Sequence, residues 1–109
     1  MPASARAVIL NTTATGADQG SFLTAYPTGT AAPNASNVNF AAGETIANLV
    51  TVKVGTAGQI TLANAVGSTD VVADIVGYFD DGTGPGGLFT GTTPTRILDS
   101  RGPTGGWTG

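Results

Sequence analysis

Aspartates are the side chains of this sequence best suited to chemistry. Five of the seven acidic residues fall in the last 40 positions, at Asp70, Asp74, Asp80, Asp81 and Asp99. Carboxylates and the carbonyl oxygens of glycine-rich loops are the ligands that calcium prefers. The run "DDGTG" lacks the spaced acidic ligands of a calcium loop, so roles in turns and ion pairs are favoured. No cofactor is predicted, and calcium is the one metal left as a candidate.

Catalysis has few other groups to use. The chain contains no histidine and no cysteine, which removes an imidazole base, a thiolate nucleophile and a sulfur-ligated metal. Asp70 and Asp74 are the pair for glycoside hydrolysis, yet four residue-to-residue steps along a strand separate them by about 13 Å, beyond the ~9.5 Å limit for such pairs. The sequence therefore predicts that the chain is not an enzyme.

Two arginines near the end of the chain are the groups suited to holding an anion. Arg96 and Arg101 lie in the segment "PTRILDSR", and their forked donors could hold a carboxylate or a sugar acid. The alternative is structural: Arg96 paired with Asp74, or Arg101 with Asp70. The structural pairing is favoured, because it would hold the segment in one strand register.

Aromatic side chains offer a third kind of site, since sugars stack on aromatic faces. Tyr26, Tyr78 and Trp107 are the only tyrosines and tryptophan of the chain. The tyrosines are expected to cover the edge of the core, as amphipathic rings do. Trp107 lies in the glycine-rich tail "GPTGGWTG", where no packing is predicted, so it is expected to be either disordered or an anchor against a partner.

The composition limits the classes of partner. The 109 residues suit one domain, only 10% are charged, and the net charge is −3. Four basic residues cannot neutralise a run of phosphates, so nucleic acid is not an expected partner. No stretch approaches the ~18 apolar residues that span a bilayer, so membrane insertion is not predicted.

Strand patterns provide the framework for these residues. Runs rich in threonine and valine alternate with glycine and proline turns, which predicts an all-β fold, an antiparallel β-sandwich of jelly-roll or immunoglobulin type with six to eight short strands. Residues 6–15 and 20–30 are expected to pair. Residues 49–54 and 59–63 are expected to form a hairpin across "GTAG".

The strand at residues 68–79 is predicted to separate its two faces. Its odd positions, Val71, Ala73, Ile75 and Phe79, form the core face, while Asp70 and Asp74 lie on the other. Residues 1–79 would then be the sandwich core and 80–87 a linker rich in glycine and proline. Residues 88–109 would be a C-terminal strand segment and tail that docks on its own domain or on a neighbouring subunit.

Four segments carry a resemblance to a known family: "ASNVNF", "ANLVTVKVG", "GSTDVVADIVGYF" and "PTRILDSR". Together they resemble a β-rich tandem-repeat domain of secreted and cell-surface proteins of high-GC Gram-positive bacteria, over nearly the whole chain. The resemblance implies an extracellular location and a non-enzymatic, modular role. In that family "PTR-x-LD-x-R" opens the unit and "VGYF" closes it, whereas here the opening segment comes last, so the order is permuted or trimmed.

Two functions follow as expectations. The first is a structural module that self-assembles head-to-tail into a filament or surface array by β-strand addition, with other copies or neighbouring repeats as partners. Its expected assembly residues are Arg96, Ile97, Leu98, Asp99, Arg101 and Trp107. The second is a carbohydrate- or cell-wall-binding module, with polysaccharide as the partner and an exposed aromatic pair beside Asn and Asp groups on one sheet face.

Overall fold

Seven β-strands in two antiparallel sheets make up the computed structural model, which describes residues 5–80 and 89–101. The predicted all-β sandwich is confirmed. The strands are β1 (Ala5–Thr15), β2 (Ser21–Pro27), β3 (Val38–Phe40), β4 (Ile46–Lys53), β5 (Ile60–Asn64), β6 (Asp70–Asp80) and β7 (Phe89–Asp99), with a 3₁₀ turn at Thr56–Gly58.

The larger sheet, sheet A, has the strand order β4-β1-β6-β7, and the smaller sheet, sheet B, has the order β3-β2-β5. Two predicted pairings are therefore wrong. β1 and β2 lie in different sheets, and β4 and β5 form no hairpin, because the chain crosses between sheets at the 3₁₀ turn. Alternation along a strand shows which face is buried, but it does not show which neighbour accepts the backbone hydrogen bonds.

The core lies between the sheets and is centred on β1. Leu10 and Leu23 are among the largest fully buried side chains, one from each sheet. In sheet A, Leu10 is opposite Val50 and Val8 is opposite Val52, so β1 and β4 present matching apolar rows to sheet B. In β1 the even-numbered positions from Val8 to Ala14 are buried, and in β4 only Val50 and Val52 are.

A β-bulge changes the faces of β6. Ile9 is opposite Gly77 while Leu10 is opposite Ile75, so Val76 is an extra residue in the strand. Positions after a bulge point to the opposite side from the one that strict alternation predicts. Ile75 is buried as expected, but Phe79, predicted to be in the core, is 37% exposed on the outer face.

The segment after the predicted linker pairs with its own domain. β7 lies antiparallel to β6, from Phe79 opposite Phe89 to Val72 opposite Asp99. Most of the predicted linker, residues 81–87, lies outside the described residues, as do Leu88 and residues 102–109. β7 is an edge strand of sheet A, which is where a proline such as Pro94 is tolerated.

Candidate assembly groove

Sheet A has four strands and sheet B has three, and the strand of sheet A without a counterpart in sheet B is β7. β3 and β2 pack over β4, and β3 also contacts β1, so sheet B is placed over the β4 side of sheet A. β7 makes its extensive contacts with β6 alone. Within the described residues, no strand of sheet B covers the inner face of β7.

Two cavities lie along this uncovered face. The first, of about 290 Å³, has walls that are mostly aliphatic, and the second, of about 410 Å³, has more polar walls. Both cavities lie between β5, an edge strand of sheet B, and β7, an edge strand of sheet A. We call this feature the β5–β7 groove; β5 lines it with Ile60, Leu62 and Asn64, and β7 lines it with Thr92, Thr95, Ile97 and Leu98.

The edge of β5 exposes backbone groups beside the groove. Two residues that flank β5 are bonded on its β2 side. Gln59 O accepts a hydrogen bond from Thr28 N at 3.2 Å, just after β2, and Ala65 N donates one to Phe22 O at 3.1 Å. Because backbone groups alternate in direction along a strand, those of Ile60, Leu62 and Asn64 point to the open edge. β5 contains no proline and no charged residue, so it lacks two of the usual protections of an edge strand.

The other edges differ from β5. β3 has only three residues, and β7 carries Pro94 and two register shifts, which are features that discourage pairing. β4 is long and free of proline, but β2 and β3 already cover its core face. Among the described strands, β5 is thus the edge that combines outward-facing backbone groups with an apolar groove.

A buried hydroxyl in the groove has no partner. Thr92 Oγ1 is inaccessible to water and forms no hydrogen bond within the described residues, and Thr92 lines the first cavity. An unsatisfied buried hydroxyl costs about 1–3 kcal/mol. Other atoms of Thr92 line the cavity, while the hydroxyl itself is enclosed in the cavity wall.

Ion pairs hold the outer face of β7. Arg96 Nε donates to Asp74 Oδ1 at 2.9 Å, one of the pairs that the sequence suggested, and Arg96 Nη1 lies 3.6 Å from Asp99 Oδ2. Arg101 pairs with Asp99, through Nε to Oδ1 and Nη2 to Oδ2, both at 2.9 Å. The hydrogen bonds from Arg101 lower the pKa of Asp99 to about 2, and the bond to Asp74 raises the pKa of Arg96.

The suggested pair of Arg101 with Asp70 gives way to a different arrangement. Asp70 Oδ1 accepts a hydrogen bond from Ser100 Oγ at 3.1 Å, and Ser100 Oγ in turn accepts one from Val71 N at 2.7 Å. The guanidinium of Arg101 lies on Asp99 instead. These bonds tie the end of β7 to the start of β6.

The expected assembly residues divide between the two faces of β7. Ile97 and Leu98 line the groove, one in each cavity. Arg96 and Asp99 lie opposite Asp74 and Val72 of β6 and form ion pairs on the outer face. Arg101 joins that outer network, and Trp107 lies outside the described residues.

The outer face of sheet A carries an aromatic pair that the sequence did not predict. The rings of Phe79 and Phe89 have centroids 5.2 Å apart and are tilted by 57°. Phe89 covers Gly77, since a Cβ on that glycine would lie 3.0 Å from Phe89 Cε1. An isolated glycine within a strand, which marks a bulge or a close approach, was the signal for this pair. The predicted aromatic candidates are elsewhere: Tyr78 lines the first cavity, and Tyr26 lies in β2.

Comparisons with other proteins add no relative. No protein-family model, no curated protein and no solved structure matches the chain. Among residues 5–80 and 89–101, no group of three or more acidic side chains could hold a metal ion, and no helix is long and apolar enough to cross a membrane. Asp81, one of the calcium candidates, lies outside these ranges.

Proposed function

We propose that this chain is a non-enzymatic, extracellular structural module that assembles head-to-tail with further copies by β-strand addition. The observation that carries the proposal is the β5–β7 groove, where an unprotected strand edge borders an uncovered apolar face. An added strand would hydrogen-bond to the edge and bury the groove at once, which are the two requirements of strand addition.

The form of the assembly follows from the interface. A groove that receives a different segment from a neighbour makes a heterologous contact, which gives a ring if the rotation closes and a filament if it does not. The extracellular location is supported by the family resemblance and by the surface rich in threonine and glycine. The absence of histidine and cysteine supports a non-enzymatic role.

Proline at Leu62 tests the proposal. Leu62→Pro removes a backbone N–H from the open edge and leaves the hydrogen bonds to β2 in place, while Leu62→Val keeps the N–H and makes a comparable change in side-chain volume. Particle mass by light scattering after gel filtration and particle shape by electron microscopy are the measurements, with circular dichroism to verify folding.

We expect the parent protein and Leu62→Val to form particles larger than a monomer, and Leu62→Pro to stay folded and monomeric. A parent protein that remains monomeric at millimolar concentration would exclude self-assembly. Leu62→Pro particles as large as those of the parent would show that a different edge is used.

A second candidate function, carbohydrate or cell-wall binding, is favoured by the aromatic pair on sheet A. Phe79 and Phe89 are 37% and 50% exposed, and Asn11 and Asp74 lie opposite each other on the same face. Retention on insoluble polysaccharide tests it. Binding should fall in Phe89→Ala and persist in Phe22→Ala, a phenylalanine of sheet B with 39% exposure; equal retention of both variants would contradict this site.

A further inference from the structure

We propose that the strand received by the β5–β7 groove is β4 of a second copy, antiparallel to β5, with Leu49 of that copy in the groove. This inference rests on the proposed function and names the partner of the same site. Three features carry it: the open edge of β4, the exposed leucine on its outer face, and the missing fourth strand of sheet B.

β4 is the edge strand of sheet A on the side away from β7. Val54 N donates to Arg6 O at 2.8 Å, so the backbone groups of the even-numbered residues of β4 point to β1. Because direction alternates along a strand, the backbone groups of the odd-numbered residues point to the open edge. Four exposed residues therefore offer N–H and C=O groups there: Ala47, Leu49, Thr51 and Lys53.

On both strands the free backbone groups belong to residues of one face. The odd-numbered residues of β4 project to the outer face of sheet A, whereas Val50 and Val52 project into the core. On β5 the free groups belong to Ile60, Leu62 and Asn64, which line the groove. In an antiparallel pair, residues that exchange both hydrogen bonds project to the same face. Pairing the two edges therefore directs the outer face of β4 into the groove.

The parallel orientation of the two strands is excluded. In a parallel pair, the backbone groups of one residue bond to the two neighbours of the residue opposite it. The free residues of β5 would then lie opposite even-numbered residues of β4, and Val50 and Val52 would face the groove. β2 and β3 of their own copy already cover that face, so it cannot also cover β7.

Charge selects the register of the antiparallel pair. β5 has five residues and β4 has eight, and two registers place all of β5 opposite β4 with the free backbone groups matched. One of them places Lys53 opposite Ile60, at the aliphatic end of the groove, where its charge would lose water. The other leaves Lys53 beyond the end of β5 and forms three pairs: Leu49 with Leu62, Thr51 with Ile60, and Ala47 with Asn64.

This register suits the walls of the groove. Residues 47–51, which lie opposite β5, carry no charge. Leu49 is 61% exposed, the most exposed of the large hydrophobic side chains in the described residues, and the pairing places it beside Leu62 in the second cavity, whose wall also includes Leu98. The added strand gives sheet B a fourth strand, which covers β7.

The β4 strand in the groove comes from a second copy. Within one molecule β1 and β6 lie between β4 and β7, which separates the two edges by three strand spacings, about 14 Å. β4 is also paired with β1 along residues 7–14. Each copy thus has a β4 edge to give and a β5 edge to receive, so the contact is heterologous and can repeat from copy to copy.

Two proline variants of the full chain test the inference by complementation. Thr51→Pro removes an N–H from the open edge of β4 and leaves the hydrogen bonds to β1 in place, while Thr51→Val keeps the N–H and the side-chain shape. Leu62→Pro blocks the β5 edge. Particle mass is measured by light scattering after gel filtration, and circular dichroism verifies folding.

We expect Thr51→Pro and Leu62→Pro each to be folded monomers, and Thr51→Val to assemble as the parent protein does. An equimolar mixture of the two proline variants should form particles of two chains and no larger. The β4 edge of the Leu62→Pro chain enters the groove of the Thr51→Pro chain, and the two remaining edges are blocked.

Two exposed side chains on the outer face of sheet A provide a matched pair without proline. Leu49→Ala should raise the midpoint concentration of assembly by about 10-fold, since pairing removes this side chain from water. Phe89→Ala, at a ring that is 50% exposed on β7, should leave the midpoint unchanged. Equal effects of the two variants would contradict the insertion of Leu49.

The remaining outcomes separate the inference from the proposed function. If Thr51→Pro assembles as the parent does while Leu62→Pro stays monomeric, β4 is not the donor and strand addition at β5 stands. If both variants are monomeric and their mixture is too, the pairing of β4 with β5 is overturned. A parent protein that stays monomeric at millimolar concentration would overturn both.

Discussion

Truncation of Leu10 probes the arrangement on which the groove depends. Leu10 is in the middle of β1, has no exposed surface, and lies opposite Val50 in sheet A. Leu10→Ala removes three carbon groups from the interface between the sheets. The matched control is Leu49→Ala on β4, where the leucine lies on the outer face of sheet A and is 61% exposed.

The magnitude follows from burial. Three carbon groups at about 0.8 kcal/mol each lose about 2.4 kcal/mol of transfer free energy. The cavity left behind increases the cost to about 3–4 kcal/mol, within the range for fully buried leucines. A domain of this size shifts its melting temperature by about 4–8 °C per kcal/mol, so Leu10→Ala should melt about 12–30 °C lower. Leu49→Ala should change the free energy of unfolding by less than about 0.5 kcal/mol.

Urea unfolding followed by far-ultraviolet circular dichroism, at concentrations below the onset of assembly, measures both variants. A Leu49→Ala variant as destabilised as Leu10→Ala would refute the reasoning, since it would mean that the outer face of sheet A is packed.

Three further predictions concern single positions. Gly55→Ala should destabilise by about 1–3 kcal/mol in thermal melts, because a Cβ there would collide with the backbone of Thr28; unchanged melting would contradict this close approach. Thr12→Val should stabilise by about 1 kcal/mol, since Thr12 Oγ1 is buried without a partner in the described residues, and a loss of stability would show a missed hydrogen bond. Asp99 should titrate at about pH 2 by carboxyl NMR. Its contribution to folding stability is therefore present above pH 4 and is lost as the pH falls from about 4 to 2. Arg101→Gln should return the titration midpoint of Asp99 towards 3.8, and an unchanged midpoint would exclude this ion pair as the cause.

The groove and the aromatic pair lie on opposite faces of sheet A. The groove takes the inner face of β7, and the pair of Phe79 and Phe89 lies on the outer face, beyond the backbone of the same strands. Variants of the two sites can therefore be combined in one chain. Their effects on assembly and on ligand binding should add, because the groove residues and the aromatic pair share no contact. Phe89→Ala should leave particle mass unchanged.

Much of the fold could be predicted from local patterns. Residues 49–54 were predicted as a strand, and the structure buries two alternate side chains there, Val50 and Val52; glycine and proline marked the ends of most strands. The ion pair of Arg96 with Asp74 was among the suggested pairs, because opposite charges on neighbouring strand segments attract each other. The aromatic pair was missed, since the bulge at Val76 reverses the direction of Phe79 and a single extra residue leaves no mark in the alternation that precedes it.

The amino-acid sequence by itself determined the fold class: threonine- and valine-rich strands with few charges form a β-sandwich. Tertiary structure alone decided which strands are neighbours, because any two strands with one apolar face can pair. It therefore also decided that sheet B has one strand fewer than sheet A. The groove exists because of that difference, and no property of a single segment predicts it.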